Sequence, residues 1–352
     1  MHSWLSESQM VVLVGAFGGI LLGLAARIGR FCTLGAIEDL LYGGSDIRLR
    51  MWALAIGTAT IGSFALIGAG LLNSADTYYL SIRWMPMASI TGGLMFGYGM
   101  ALSGNCGYGA IARLGGGDLR SFVIVLVMGV STYVVLSGPL APLRDMLFHQ
   151  TPITTETPPG LAHHAARLTG LPVAGIGISI GVLFCVLALG SAGLRGDPKA
   201  IFWSVIVGLA IISGWVGTQW IFDTGFEARP VVSHSFSAPV GETILYAMTG
   251  SARSASFAIG SVSGVWLGAF IGSVIKGHFR WEACDDPREL RRQILGAAIM
   301  GAGAMIALGC TVGQGLSAFS LLAVSAPVTF LAIFAGAALG LRQLIEGFSM
   351  AE

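Results

Sequence analysis

The chain has 352 residues, 54% of them apolar and only 11% charged, and its 19 basic and 18 acidic side chains leave a formal charge of +1. About a quarter of a soluble domain is charged, so a long chain this poor in charge belongs in lipid, and its near-neutral balance excludes a general attraction to nucleic acid. The 52 glycines agree, because small residues let membrane helices approach closely.

The N-terminal MHSWLSESQM carries neither a basic region nor a small-residue cleavage site, so no cleaved signal peptide is expected. Apolar runs long enough to span, or nearly so, follow at about 9–26, 52–72, 88–104, 121–138, 172–190, 201–217, 254–275, 294–309 and 327–341. Several are short and are followed by Gly-rich stretches, which predicts half-membrane helices beside about nine transmembrane helices in one all-α domain over 1–352. Arg27, Arg30, Arg48, Arg50, Arg113, Arg120, Arg195, Lys199, Lys276, Arg280, Arg288, Arg291, Arg292 and Arg342 all lie on alternate turnarounds. The positive-inside rule then sets the N-terminus outside and the C-terminus in the cytoplasm. The other side holds Arg83, Arg144, Arg167, Arg229 and Arg253, and receives a long loop, 139–171.

The sequence repeats itself. GLAARIGRFCT (23–33) resembles GLAIISGWVGT (208–218), with Cys32 on Gly217. GGLMFGYGMALSGNCGYG (92–109) resembles GAAIMGAGAMIALGCTVG (296–313), with Gly92, Gly97, Gly99, Cys106 and Gly109 on Gly296, Gly301, Gly303, Cys310 and Gly313. Repeat one then covers about 9–138 and repeat two about 201–341. The stretch 139–200 links them, and its extra crossing inverts the second half. Two inverted, pseudo-symmetric repeats are a recurrent transporter plan, with the substrate near the midplane. The plainer reading is that Gly/Ala-rich helices resemble one another.

Of the five cysteines none forms a C-x-x-C pair, which speaks against a disulfide scaffold or a zinc site. Cys32, Cys106 and Cys310 each end a spanning run among glycines, before a short segment of helical character. A break there frees backbone N–H groups, and half-helices beginning at 107 and 313 from opposite sides would turn their N-termini, which favour anions, toward each other. A thiol adds a soft, weak donor and acceptor. It meets a terminal sulfur without the grip of a fixed charge, which suits conduction that must also release the ion. The candidate path is Cys32, Cys106 and Cys310 with Gly104, Asn105, Gly107, Gly109, Gly309, Thr311, Gly313 and Gln314; no metal or cofactor is expected. Against this, a buried cysteine is commonly a small hydrophobe, which is the reading for Cys185; Cys284 reads as a surface thiol.

The motifs GRFC, GNCGYGAIARLGGG and GCTVGQGLSA resemble those of the YeeE/YedE family of sulfur-compound transporters, over about 15–341. The resemblance implies an hourglass-shaped protein of the bacterial inner membrane, not an enzyme, that takes up thiosulfate. Three cysteines line its narrow centre and pass the ion by S–H···S contacts; by motif match they are Cys32, Cys106 and Cys310. It also implies a TusA-like cytoplasmic sulfurtransferase as partner, and other members handle persulfide or selenium compounds. A strongly positive outer face belongs to the family pattern; here the outer loops are poor in basic residues, and 139–171 adds Glu156, His149, His163 and His164.

Other residues carry two readings each. Arg113 attracts an anion or marks the inner side. Asn105 and Gln314 donate to an ion or cap short helices. Glu38 and Asp39 relay protons or pair with Arg48 and Arg50. The three loop histidines show no metal spacing and read as solvent-exposed. The competing functions are a membrane thiol oxidoreductase, which would want a bridgeable cysteine pair, and a structural subunit of a larger complex. No nucleotide-binding motif supports an ATP-driven pump.

Overall fold

The computed structural model of the chain describes residues 6–149, 159–226, 229–283 and 286–347. In order, α1 (Glu7–Arg27), α2 (Thr33–Leu41), α3 (Ile47–Gly68), α4 (Pro86–Ser103), α5 (Gly107–Gly115) and α6 (Leu119–Leu136) form the first half. The connection carries α7 (Ala141–Leu147), α8 (Leu161–Thr169), α9 (Val173–Leu189) and α10 (Ala192–Arg195). The second half is α11 (Pro198–Thr224), α12 (Ala238–Thr249), α13 (Phe257–Ile275), α14 (Pro287–Ile306), the π-helical segment Gly313–Ala318 and α15 (Ser325–Glu346). All nine expected spans fall on helices. Six of them, α1, α3, α6, α11, α13 and α15, are long and apolar enough to cross a membrane. The protein is therefore an all-α, multi-pass membrane protein. Two corrections apply to the connection: 139–171 holds two short helices rather than a plain loop, and His163 is half-buried with its Nε2 3.0 Å from the Ser74 hydroxyl. Glu156 and Cys284 lie outside the described residues.

Polar caps mark where helices start. Ser6 and Gln9 make a reciprocal capping box on α1, and Asp118, Asp197 and Asp286 accept backbone N–H groups at the starts of α6, α11 and α14. The spans themselves lock through glycine. A Cβ on Gly99 would stand 2.5 Å from the Gly296 carbonyl oxygen, and one on Gly303 2.8 Å from that of Gly92. These crossings run α4 antiparallel to α14, main chain against main chain. Val14 against Gly217 and Gly18 against Ser213 likewise set α1 antiparallel to α11. Gly15, Gly19 and Gly23 meet Phe257, Ser261 and Val265 in succession, so α1 runs parallel to α13.

The halves share an order of elements: long helix, break, short helix, two long helices, break, short helix, long helix. Contacts pair off in the same way. As α1 packs on α13, α11 packs on α3. As α4 packs on α15, α14 packs on α6. As α12 packs on α6, α2 packs on α15. Helix α9 stands apart, packed mainly on α3. The sequence alignment of Cys32 with Gly217 does not match this order: Gly217 lies inside the unbroken α11, whereas Cys32 lies in the break after α1. In the second half the break comes later, between the end of α11 at Thr224 and the start of α12, and the residue that heads α12 is Ser237.

Candidate functional site

Each of the three cysteines opens a short helical segment. Cys32 is the N-cap of α2, Cys106 that of α5, and Cys310 precedes a helical run over 311–320 whose middle is the π segment. Two residues before each stands one in the left-handed region: Arg30 (φ 55°), Gly104 (φ 74°) and Leu308 (φ 57°). At Gly104 this costs nothing and gives α4 the usual glycine stop. At Arg30 and Leu308 an L side chain is held in a disfavoured conformation, the kind of local strain that gathers at functional sites.

The sulfurs of Cys106 and Cys310 are hydrogen-bonded as acceptors. The Gly109 N–H donates to Cys106 Sγ at 3.4 Å; the Gly313 N–H (3.4 Å) and the Phe236 N–H (3.3 Å) donate to Cys310 Sγ. The Cys310 sulfur also meets the Ser235 hydroxyl at 3.7 Å, whereas Cys32 heads α2 without a side-chain capping bond. Cys106 is the hub: Cys32 and Cys310 both lie close enough to act electrostatically on its thiol, and the Thr311 side chain adjoins it. Cys106 and Cys310 are buried and Cys32 is partly exposed; none of the three is in a disulfide.

Two cavities flank this waist. One, about 350 Å³, is lined by Cys32, Gly104, Asn105, Gly109, Arg27, Arg30, Arg48, Arg113, His278 and Glu38. The other, about 420 Å³, holds Gly309, Leu308, Tyr79, Ser233, Ser235, Ser237, Arg229 and Glu242. The first meets α1 at Ala26 and the second at Val11, fifteen residues and roughly 22 Å apart at 1.5 Å per residue. They therefore open at opposite ends of the bundle. The arginines collect at the Cys32 end, where four guanidinium groups outweigh Glu38; at the other end Arg229 and Glu242 balance.

The remaining candidates divide. Asn105 lines the arginine-rich cavity, and Gly109 and Gly313 supply N–H donors to sulfur. Gln314 is a cap: its amide donates to the Ala307 and Leu308 carbonyls at 3.1 and 3.0 Å and accepts from Ser325. Gly107 faces the Met128 thioether, away from the cavities. Asp39 pairs with Arg48 at 3.1 Å, while Glu38 and Arg113 face the cavity. The loop histidines and the other described residues hold no metal-binding cluster.

The segment 231–237 was not foreseen. It dips into the bundle between α11 and α12, and buries His234, whose Nδ1 meets the Ser261 hydroxyl at 2.6 Å in a space that Gly18 leaves open. Its signal in the sequence is S-H-S-F-S, a polar run between spans with neither the charges nor the glycines of a surface loop. Tyr108 ties the first half-helix in place by donating to the Leu22 carbonyl at 2.6 Å. Tyr108→Phe removes that bond while the Leu22 carbonyl keeps its place in the α1 ladder, and is expected to cost about 1 kcal/mol, read as a lower midpoint of thermal unfolding in detergent; an unchanged midpoint would show that the bond carries nothing.

A family model described as Sulphur transport matches residues 28–339, and the chain belongs to that family, one of membrane transport rather than enzymic catalysis. The chain is 27% identical over 326 residues, 87% of either chain, to the thiosulfate transporter TsuA of Escherichia coli (strain K12). It is 22% identical over 324 residues, 90% of this chain and 93% of the relative, to the thiosulfate transporter TsuA of Spirochaeta thermophila.

Proposed function

We propose that the protein carries thiosulfate into the cell across the bacterial inner membrane, along Cys310, Cys106 and Cys32 in that order. The observation that carries this reading is the chain of three cysteines at the heads of short helical segments, between cavities at opposite ends of the bundle. The terminal sulfur of the anion takes a weak S–H donor from each thiol in turn. The backbone N–H groups that cap the sulfurs spread the negative charge without trapping it. Two inverted repeats forming an hourglass account for the antiparallel pairing of α4 with α14 and of α1 with α11, and for the matched contacts of the halves. The arginine-rich end is then cytoplasmic, where basic residues gather and draw the ion onward; the N-terminus lies outside and the C-terminus inside. A TusA-like sulfurtransferase would receive the ion there. Nine spans follow if α4, α9 and α14 also cross.

The test is uptake of radiolabelled thiosulfate, sulfate and selenite into proteoliposomes of the purified chain. Thiosulfate is expected to enter well above the other two. Sulfate entering equally well, or no entry of thiosulfate, would overturn the assignment.

A further inference from the structure

Resting on the thiosulfate reading, we infer that Ser237, with Ser235 and the first turn of α12, is an oxyanion-binding step ahead of Cys310. It holds the sulfonate oxygens while the terminal sulfur turns to the thiol. Ser237 heads α12, is 1% exposed and lines the 420 Å³ cavity, yet its hydroxyl has no hydrogen-bond partner. A buried hydroxyl left unpaired is costly, and a ligand oxygen arriving from the cavity would relieve it. The helix it heads is 12 residues long, so its N-terminal N–H groups and dipole favour an anion at the same point.

The strand of chain from Ser235 to Ser237 passes directly over Cys310. Ser235 Oγ lies 3.7 Å from Cys310 Sγ, and the N–H between the two serines donates to that sulfur. Hard donors for oxygen and a soft one for sulfur therefore stand side by side, as the two ends of thiosulfate require. Formal charge does not compete, since Arg229 and Glu242 balance in this cavity and Glu242 already accepts from Ser256 at 2.6 Å. In the other half the residue in the corresponding position, also preceded by phenylalanine and heading the short helix, is Cys32. The two mouths thus differ by an oxygen for a sulfur: a hydroxyl where the ion is sorted, a thiol where it leaves.

A structural role and a binding role predict opposite outcomes. Removing an unpaired buried hydroxyl leaves the fold as stable or more so. Losing a bond to substrate raises KM, by about tenfold for one hydrogen bond. Ser237→Ala in proteoliposomes is therefore expected to raise the thiosulfate KM about tenfold at an unchanged or higher unfolding midpoint, with Ser237→Thr restoring it. Sulfite is expected to compete less well against the alanine variant than against the native chain, while thiocyanate, which offers sulfur without oxyanion oxygens, competes equally against both. An unchanged KM and unchanged sulfite competition in a folded Ser237→Ala protein would overturn the assignment. Absence of thiosulfate uptake by the native chain would overturn the transport reading instead.

Discussion

Cys106→Ala and Cys310→Ala are each expected to reduce thiosulfate uptake to background while the protein still folds. The magnitudes separate the two effects. Alanine removes the sulfur that accepts the Gly109 N–H, or the Gly313 and Phe236 N–H groups, and a buried donor without a partner costs about 1–3 kcal/mol of stability. A well-packed membrane bundle survives that loss. On the proposed relay, transport does not, because each 1.4 kcal/mol added to the barrier at the waist slows passage about tenfold, and the hydroxyls beside the thiols, Ser235 and Thr311, are hard donors that do not replace a soft sulfur. Cys106→Ser keeps an acceptor for the backbone and so isolates softness from geometry; it is expected to fold like the native chain and to transport poorly. Native rates of radiolabelled uptake in both folded alanine variants would remove the thiols from the mechanism.

Gly97→Val is expected to have the largest effect on stability. A Cβ at this position collides with the Ile333 carbonyl oxygen and comes within 2.7 Å of the Ala337 nitrogen, so backbone would have to move from backbone. Overpacking a core costs about 1–3 kcal/mol where side chains can shift, and here there is no side chain to yield. The variant should lose its monodisperse peak in size-exclusion chromatography and unfold at a markedly lower temperature. Gly109→Ala is the contrast: its Cβ would meet nothing nearer than 3.5 Å. Equal stability of the valine variant and the native chain would mean that α4 and α15 are not packed as described.

The spans were legible because lipid imposes a one-dimensional rule: each apolar run of sufficient length falls on a helix, and even the short Gly-rich run at 294–309 lies on α14. The three cysteines were legible too, since each breaks an apolar run in the company of glycine. What escaped notice depends on contacts between distant segments. That Gly99 faces Gly296 and Gly92 faces Gly303 follows from the antiparallel crossing of α4 and α14, which no local pattern encodes. Cys32 was matched to Gly217 because the break of the second half is longer and later, and similar small residues filled the gap in register. Ser235 and Ser237 went unread for a related cause. Hydroxyls between spans look like ordinary loop residues until the chain folds them inward over Cys310. Gln314 could not be told from a donor to the ion until its amide was seen to close the end of α14.

The crossings of α4 with α14 and of α1 with α13 bear on how anything moves through such a bundle. With main chain lying on main chain, there are no long side chains to act as bearings, and one half has no slack in which to tilt against the other. Any opening is then confined to the few residues at the breaks: the left-handed turns at Arg30, Gly104 and Leu308, and the thiols beside them. On the proposed transport reading, such a bundle is a stiff frame whose pliable residues sit at the throat.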